Sequence, residues 1–193
     1  MRIKRLIKKV IAKFSKKSRN QLYQERHQEE NRVFIEKVRK AGGSVGENFD
    51  IYDTFFDTAL CLVNIGNNVT ITGATILTHD ASMGKFLRGG GYCRVGHITI
   101  GNDVFIGRHA IVLAGTTIGN RVIVGAGAVI SGTIPDNSVV VGNPARVRCT
   151  FDEYLSRQET RLEKLPIVHN KQEFEERKSE IVEKYKGYWQ YFG

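Results

Sequence analysis

The chain has 193 residues, 41% of them hydrophobic, which predicts one or two domains with a buried core. Its net charge of +9 comes from residues 1–40, which hold 14 Lys and Arg against 4 Glu, so the balanced remainder argues against a nucleic-acid partner. Three irregularly spaced cysteines exclude a disulfide framework and a Cys-based zinc site, and the lack of a signal peptide or a ~18-residue apolar run predicts a cytoplasmic protein.

Residues 1–43 are predicted to form a basic helical arm. Between Ile3 and Phe14 the apolar side chains recur at the spacing of one helix face, and basic side chains occupy the other face. This pattern is typical of a helix that docks on an anionic membrane surface, here through residues 1–20; the alternative is a helix packed on its own protein or on a sister subunit. A second helical stretch is predicted over about residues 21–40, ending before two glycines.

Residues 44–149 carry a six-residue repeat. An aliphatic residue recurs at every sixth position and is often followed by glycine, which suits a tight turn. A period of six fits neither one helix nor one hairpin sheet, and it predicts short strands arranged three to a triangular coil of about eighteen residues. The aliphatic positions are Ile65, Ile71, Leu77, Ile100, Ile106, Val112, Ile118, Val124 and Ile130, and the pattern extends to Val141 and Val147.

The repeat is interrupted between Leu77 and Ile100. A solenoid accepts insertions only as loops that leave one corner, so residues 78–99 are predicted to form such a loop. Loops on a rigid scaffold often carry function, and this one begins next to His79.

Several segments of the repeat together resemble a known family. Residues 100–109 read IGNDVFIGRH, and AGTTIG, VGAGAV and GNPAR follow at 114–119, 124–129 and 142–146. They are similar to the hexapeptide-repeat acetyltransferases, in particular the galactoside and maltose acetyltransferases and the O-acetyltransferases of surface-polysaccharide synthesis. The resemblance covers about residues 45–149. It implies a mainly β fold, a left-handed parallel β-helix, here with α-helical extensions at both ends, and a homotrimer with acetyl-CoA bound between neighbouring β-helices.

The resemblance also implies a reaction and a base. The family's catalytic histidine lies just before the protruding loop, which is the place of His79 in this chain. It would take the proton of a sugar hydroxyl as that hydroxyl attacks the thioester directly, without a metal. An acidic side chain is expected to orient the ring; Asp53, Asp57 and Asp80 are candidates, and Asp53 is favoured. The loop residues expected to line the acceptor are Asp80, Ser82, Arg88 and Tyr92.

The expected acetyl-CoA site follows from the same resemblance. The matching positions for the pantetheine arm are Ala114, Gly125, Ala126 and Ser131, and Phe105 is expected to contribute a ring near the thiol end. Small residues leave room for the arm, and Phe105 stands where the family usually has Trp. Arg146 matches a family arginine near the nucleotide phosphates, and Arg148 is placed to assist, since guanidinium groups donate to phosphate in pairs.

Residues 150–193 are predicted to form a helical cap, because two capping-box patterns begin at Thr150 and Asn170. The acceptor stays open among a polysaccharide, a lipid-linked saccharide and a free sugar, as does transfer to oxygen or nitrogen. Two other functions are alternatives. A zinc hydratase on this scaffold would need three suitably placed histidines, and a non-catalytic trimeric scaffold or membrane-surface module would need no base at all.

Overall fold

The computed structural model describes residues 2–87, 93–162 and 171–186, with side chains over 21–87, 93–160 and 173–183. The chain begins with a single helix, α1 (Arg2–Ala41), so the two predicted helical stretches are continuous. The helix ends where Gly42 adopts a φ of 101°. The amides of Gly42 and Gly43 then donate to the carbonyls of Arg39 and Val38, which satisfies two of the last helical acceptors.

The described residues after α1 form seventeen short strands, two further α-helices and two 3₁₀ helices, Leu60–Leu62 and Ser82–Lys85. The strands are β1 (Ser44–Val45), β2 (Phe49–Tyr52), β3 (Phe55–Phe56), β4 (Val63–Ile65), β5 (Val69–Thr72), β6 (Thr75–Ile76), β7 (His79–Asp80), β8 (Arg94–Val95), β9 (Ile98–Ile100), β10 (Val104–Ile106), β11 (Ile111–Val112), β12 (Thr117–Ile118), β13 (Val122–Val124), β14 (Val129–Ile130), β15 (Thr133–Ile134), β16 (Ser138–Val141) and β17 (Arg146–Thr150). Helices α2 (Phe151–Leu162) and α3 (Lys171–Lys186) complete the order.

Three sheets form the three faces of a prism. Face A consists of β1, β4, β9, β12 and β15, face B of β2, β5, β10, β13 and β16, and face C of β3, β6, β11 and β14. Strands within each face are parallel, so every strand pairs with its equivalent in the next coil. The result is a parallel β-solenoid of five coils, which confirms the fold class predicted from the repeat.

Aliphatic columns fill the prism. Along face A, Ile65, Ile100 and Ile118 stack in register, and each is at most 4% exposed. Each such side chain contributes about 1.5–3 kcal/mol by leaving water. The same stacking joins Ile71, Ile106, Val124 and Val140 on face B and Ile76, Val112 and Ile130 on face C.

The aliphatic repeat positions were expected to line up as an internal column, and three of them do not. Leu77 is half-buried while Ile76 is fully buried, and Val141 and Val147 are 39% and 53% exposed. The reason is that the coils differ in length. Ile51 pairs with Ile71, twenty positions on, whereas Ile118 pairs with Ile134, only sixteen positions on. A strict period of six therefore drifts out of register at both ends of the solenoid.

The edge between faces A and B is built from a ladder of polar side chains. The amides of Asn67, Asn102 and Asn120 donate at 2.8–2.9 Å to the side-chain oxygen of the next member, which ends at Asp136. The residue after each member is left-handed, with φ of 54–56°. The repeat glycine Gly101, in contrast, does not have a left-handed backbone. A Cβ atom at this position would lie 2.6 Å from the carbonyl oxygen of Gly119. This repeat glycine is therefore required by the close approach of two coils rather than by a turn.

The second half of α1 packs against the first coil. Val38 is fully buried, and the ring of Phe34 lies 5.6 Å from that of Phe49 and 4.6 Å from that of Phe56. This packing covers the unpaired end of the solenoid, which would otherwise present open strand edges. At the other end β17 runs antiparallel to β16.

Residues 152–193 form a separate compact unit that contains α3 and nearly all of α2. Within that unit Ile181 is 7% exposed, and Arg177 pairs with Glu173 at 2.9 Å one turn away. A capping role for this unit remains a prediction. No helix in the described part of the chain has the length and apolar content needed to cross a bilayer.

Candidate active site

The hairpin that interrupts the solenoid carries His79. It leaves the edge between faces C and A, after β6 and before β9, and it consists of β7 and β8 paired antiparallel. His79 lies opposite Val95, and its side chain is 40% exposed. The imidazole is therefore held at an edge of the prism, with one side available to a second molecule.

Asp57 orients the imidazole. This residue follows β3 at the same C–A edge, one coil below, and its side chain is only 5% exposed. One carboxylate oxygen, Oδ2, accepts from His79 Nδ1 and, at 3.2 Å each, from the amide and hydroxyl of Thr78. The other, Oδ1, accepts from the Thr58 amide at 2.7 Å.

The expectation that Asp53 orients His79 is wrong. Asp53 lies at the B–C edge, its side chain is 81% exposed, and its nearest cation is Arg108 at 3.8 Å. Asp57 and His79 each come after a strand of face C. Because the strands of one face end at the same edge, Asp57 and not Asp53 lies beside the imidazole. The full width of face C separates Asp53 from Asp57 and His79.

The charge state of Asp57 sets the tautomer of His79. Burial would raise the pKa of this carboxyl, but hydrogen bonds from the Thr58 amide, His79 and Thr78 outweigh burial and hold the pKa below its ordinary value. An ionised carboxylate only accepts, so Nδ1 of His79 carries a proton. Its other nitrogen, Nε2, then has a free lone pair.

The predicted loop residues fall into two groups. Asp80 begins the turn of the hairpin, where its carboxylate accepts from the Ser82 amide at 2.9 Å. This hydrogen bond is the largest of the contributions that hold the pKa of Asp80 below its ordinary value. Both residues are exposed beside the edge that holds His79. Arg88 and Tyr92 lie outside the described residues.

The residues predicted to hold acetyl-CoA occupy two edges and one face. Ala114 and Ser131 follow β11 and β14 at the C–A edge, in the coils above His79. Gly125 and Ala126 follow β13 at the B–C edge. On face B, Phe105 is 44% exposed and lines an open groove of about 440 Å³, and the exposed Arg146 and Arg148 lie on β17.

Sequence reasoning missed Thr78, which is fully buried and donates twice to Asp57. Its position beside His79 at the end of a strand was the available signal. Two further histidines, His97 and His109, which a zinc hydratase would need beside His79, are exposed. Among the residues that the structure describes, no group of three His, Cys, Asp or Glu side chains is placed to hold a metal ion.

Known proteins similar to this chain share its repeat. A family model described as bacterial transferase hexapeptide (six repeats) matches residues 97–132. Protein CapG of Staphylococcus aureus is 36% identical over 158 residues, covering 78% of this chain and 88% of CapG. Galactoside O-acetyltransferase of Escherichia coli (strain K12) is 38% identical over 106 residues, so the chain spans about half of that enzyme, 51%. A solved hexapeptide-repeat acetyltransferase of Vibrio cholerae superposes with a TM-score of 0.52 at 25% identity, covering 57% of this chain and 63% of that one.

Proposed function

The chain belongs to the hexapeptide-repeat acetyltransferase family, and on this premise we propose that it transfers the acetyl group of acetyl-CoA to a saccharide hydroxyl, with His79 as general base. The observation that carries the proposal is the pairing of His79 with the buried, ionised Asp57. A histidine fixed in this tautomer at an exposed edge has the geometry that general-base catalysis requires.

The reaction is a direct acyl transfer. His79 Nε2 accepts the hydroxyl proton as the sugar oxygen forms a bond to the thioester carbonyl carbon. The tetrahedral intermediate then expels the sulfur of coenzyme A, and the proton held by His79 passes to that sulfur. Asp57 acts as a positioning residue, because its carboxylate stabilises the imidazolium that exists between the two proton transfers.

The acetyl-CoA site is proposed to lie between two subunits of a homotrimer. Ala114 and Ser131 share the C–A edge with His79, whereas Gly125 and Ala126 lie on the B–C edge. One convex prism cannot bring two of its edges together around one ligand. A neighbouring copy with its B–C edge placed against this C–A edge would bring the two groups of residues together around one ligand. In a closed symmetric trimer the same contact forms at every subunit boundary.

The acceptor is proposed to be a surface polysaccharide or a lipid-linked saccharide. The relative from Escherichia coli that bears a substrate in its name acts on galactosides. Residues 2–20 lie in α1, and in the sequence pattern their lysines and arginines fall on one helix face. Such a helix is suited to an anionic membrane surface, where lipid-linked sugars are assembled, and this would place the enzyme at the inner face of the membrane.

The test is acetyl transfer from acetyl-CoA to a panel of sugars and nucleotide sugars, followed by release of free thiol. We expect turnover by the full chain and a loss of about 10²–10⁴ in kcat for His79→Ala, the usual contribution of a general base. His109→Asn is the matched control, because His109 is exposed with a φ of 60° that Asn tolerates.

The outcome decides between catalysis and a scaffold. Turnover that survives in His79→Ala would remove this residue from the reaction. A chain that neither binds acetyl-CoA in calorimetry nor turns over any acceptor would instead match the non-catalytic scaffold.

A further inference from the structure

A second pocket lies where α1 meets the first coil, away from His79. Its volume is about 260 Å³. Tyr23 projects from the helix and is 53% exposed, and Tyr52 and Asp53 end β2 on the other side. The lining residues are Tyr23, Arg26, His27, Glu30, Tyr52 and Asp53. Rings, carboxylates and a guanidinium group therefore surround one small polar cavity.

The aromatic wall of this pocket is rigid. Asp50 accepts hydrogen bonds from Asn31 and Tyr52, each at 2.7 Å, and pairs with His27 Nε2 at 2.5 Å. The ring of His27 stacks on that of Tyr52 with centroids 4.2 Å apart. Because His27 is only 9% exposed and its partners are all engaged, the wall is fixed before any ligand arrives.

The groups that face the cavity suit a sugar ring. The electron-rich face of an aromatic ring attracts the partially positive C–H groups on one side of a pyranose. Carboxylates such as Glu30 and Asp53 accept from sugar hydroxyls, and the guanidinium of Arg26 donates to them. Mixed linings of this kind, aromatic with a few polar groups, are typical of small-molecule sites.

The pocket lies beside the B–C edge, across face C from the catalytic edge. Asp53, which lines it, and Asp57, which holds His79, are joined by β3, so the two ends lie about 13 Å apart across face C. Between them the side chain of Phe55 is 59% exposed on the outer side of β3. In the proposed trimer the neighbouring subunit's B–C edge lies against the edge that holds His79, so an oligosaccharide bound there would extend along this contact into the neighbour's pocket.

We infer that this pocket is a second acceptor subsite, which binds a sugar residue several units away from the one acetylated at His79. The inference rests on the proposed function, and it makes the preferred acceptor an oligo- or polysaccharide rather than a free sugar. The subsite supplies binding energy remote from the reacting hydroxyl, so it lowers KM for long acceptors and leaves short ones unaffected.

The test compares short and long acceptors. The probes are the methyl glycosides of galactose, glucose and N-acetylglucosamine, each beside its linear tetrasaccharide. For the chain as it stands we expect a KM about tenfold lower for a tetrasaccharide than for its monosaccharide, from one aromatic contact and its hydrogen bonds. Tyr23→Ala removes this difference and leaves kcat unchanged, while Leu22→Ala, 61% exposed on the same helix, preserves it.

A binding measurement separates failure of the subsite from failure of the proposed function. Calorimetry with the tetrasaccharides uses His79→Ala, which leaves the pocket intact, with and without Tyr23→Ala. If the unaltered chain shows no turnover but binding depends on Tyr23, the subsite is supported and the proposed reaction is overturned. Turnover that depends on His79 but has no chain-length preference, or one that Tyr23→Ala does not change, overturns the subsite.

Discussion

At the scale of single residues, the site depends on the buried carboxylate of Asp57. Its two oxygens accept four hydrogen bonds, and three of them come from Thr58 and Thr78, so the carboxylate is held in place even without His79. The same four bonds explain why the carboxyl remains charged at a position where burial alone would favour the neutral acid. The tautomer of His79 thus follows from local backbone geometry.

Replacing Asp57 with Asn tests this dependence. An amide can present N–H to Nδ1, which moves the imidazole proton to Nε2 and removes the lone pair needed by the base. We expect kcat to fall by roughly 10²–10⁴ with little change in KM for acetyl-CoA, and the acidic limb of the pH–rate profile to shift. The matched control is Asp103→Asn at the A–B edge, where Asp103 has a φ of 56° that Asn accepts. Equal rates in both variants would contradict the positioning role.

The hydroxyl of Tyr52 gives a pH-dependent prediction. Its hydrogen bond to Asp50, with a smaller contribution from burial, raises the pKa of Tyr52 to about 12. In the unfolded chain the same group ionises near pH 10. The folded state therefore holds the proton more tightly, so the bond's contribution to stability is complete below about pH 10 and is lost as pH rises toward 12.

The measurement is the free energy of unfolding of the protein and of Tyr52→Phe between pH 8 and about pH 12. We expect a constant difference up to about pH 10 that then shrinks. In absorbance titration of the folded protein, one tyrosine fewer should ionise near pH 10 than in urea. A difference that stays constant up to about pH 12 would show that Tyr52 has the same pKa in the folded and unfolded chains.

At the scale of strands, the registers decide which side chains enter the core. Val140 is fully buried and Val141 is 39% exposed, although the six-residue period points to Val141. We expect Val140→Ala to cost about 2 kcal/mol in free energy of unfolding, from lost burial and the cavity left behind. Val141→Ala should change it by less than ~0.5 kcal/mol. Urea unfolding of both variants checks this, and the reverse order would contradict the register.

Part of this fold could be predicted from the sequence. The repeat predicted short parallel strands and a loop at His79, because a period of six admits few other structures. It could not predict where coils gain or lose residues, since the repeat motif does not distinguish the twenty-residue first coil from the sixteen-residue later coil. The error over Asp53 has the same origin. Its distance along the chain from His79 resembles that of Asp57, but the two carboxylates lie on different edges.

At the scale of the whole molecule, the charge is divided between an electrically balanced solenoid and a basic first helix. We expect the protein to float with vesicles containing phosphatidylglycerol and not with pure phosphatidylcholine, with binding that weakens as salt screens the lysines. Removing residues 2–20, or the triple change Lys8→Gln, Lys9→Gln and Lys13→Gln, should abolish flotation. Undiminished flotation of the shortened chain would assign the contact to another surface.

The placement of the two groups of site residues on different edges leads to a prediction about assembly. A subunit with His79→Ala keeps its B–C edge, and a subunit with Ala126→Trp keeps His79 but blocks its own B–C edge. Each variant should be inactive alone. If every site joins the C–A edge of one subunit to the B–C edge of the next, any trimer that contains both variants has one intact site of three.

Co-expression of the two variants with different affinity tags, followed by purification on both tags, isolates these mixed trimers. We expect roughly one third of the activity of the unaltered protein. Pairing His79→Ala with Asp57→Ala is the control, because both changes affect the C–A edge and no arrangement restores it. Mixed trimers of the first pair that stay inactive would mean that each chain holds its complete site, and the two edges would then need a different explanation.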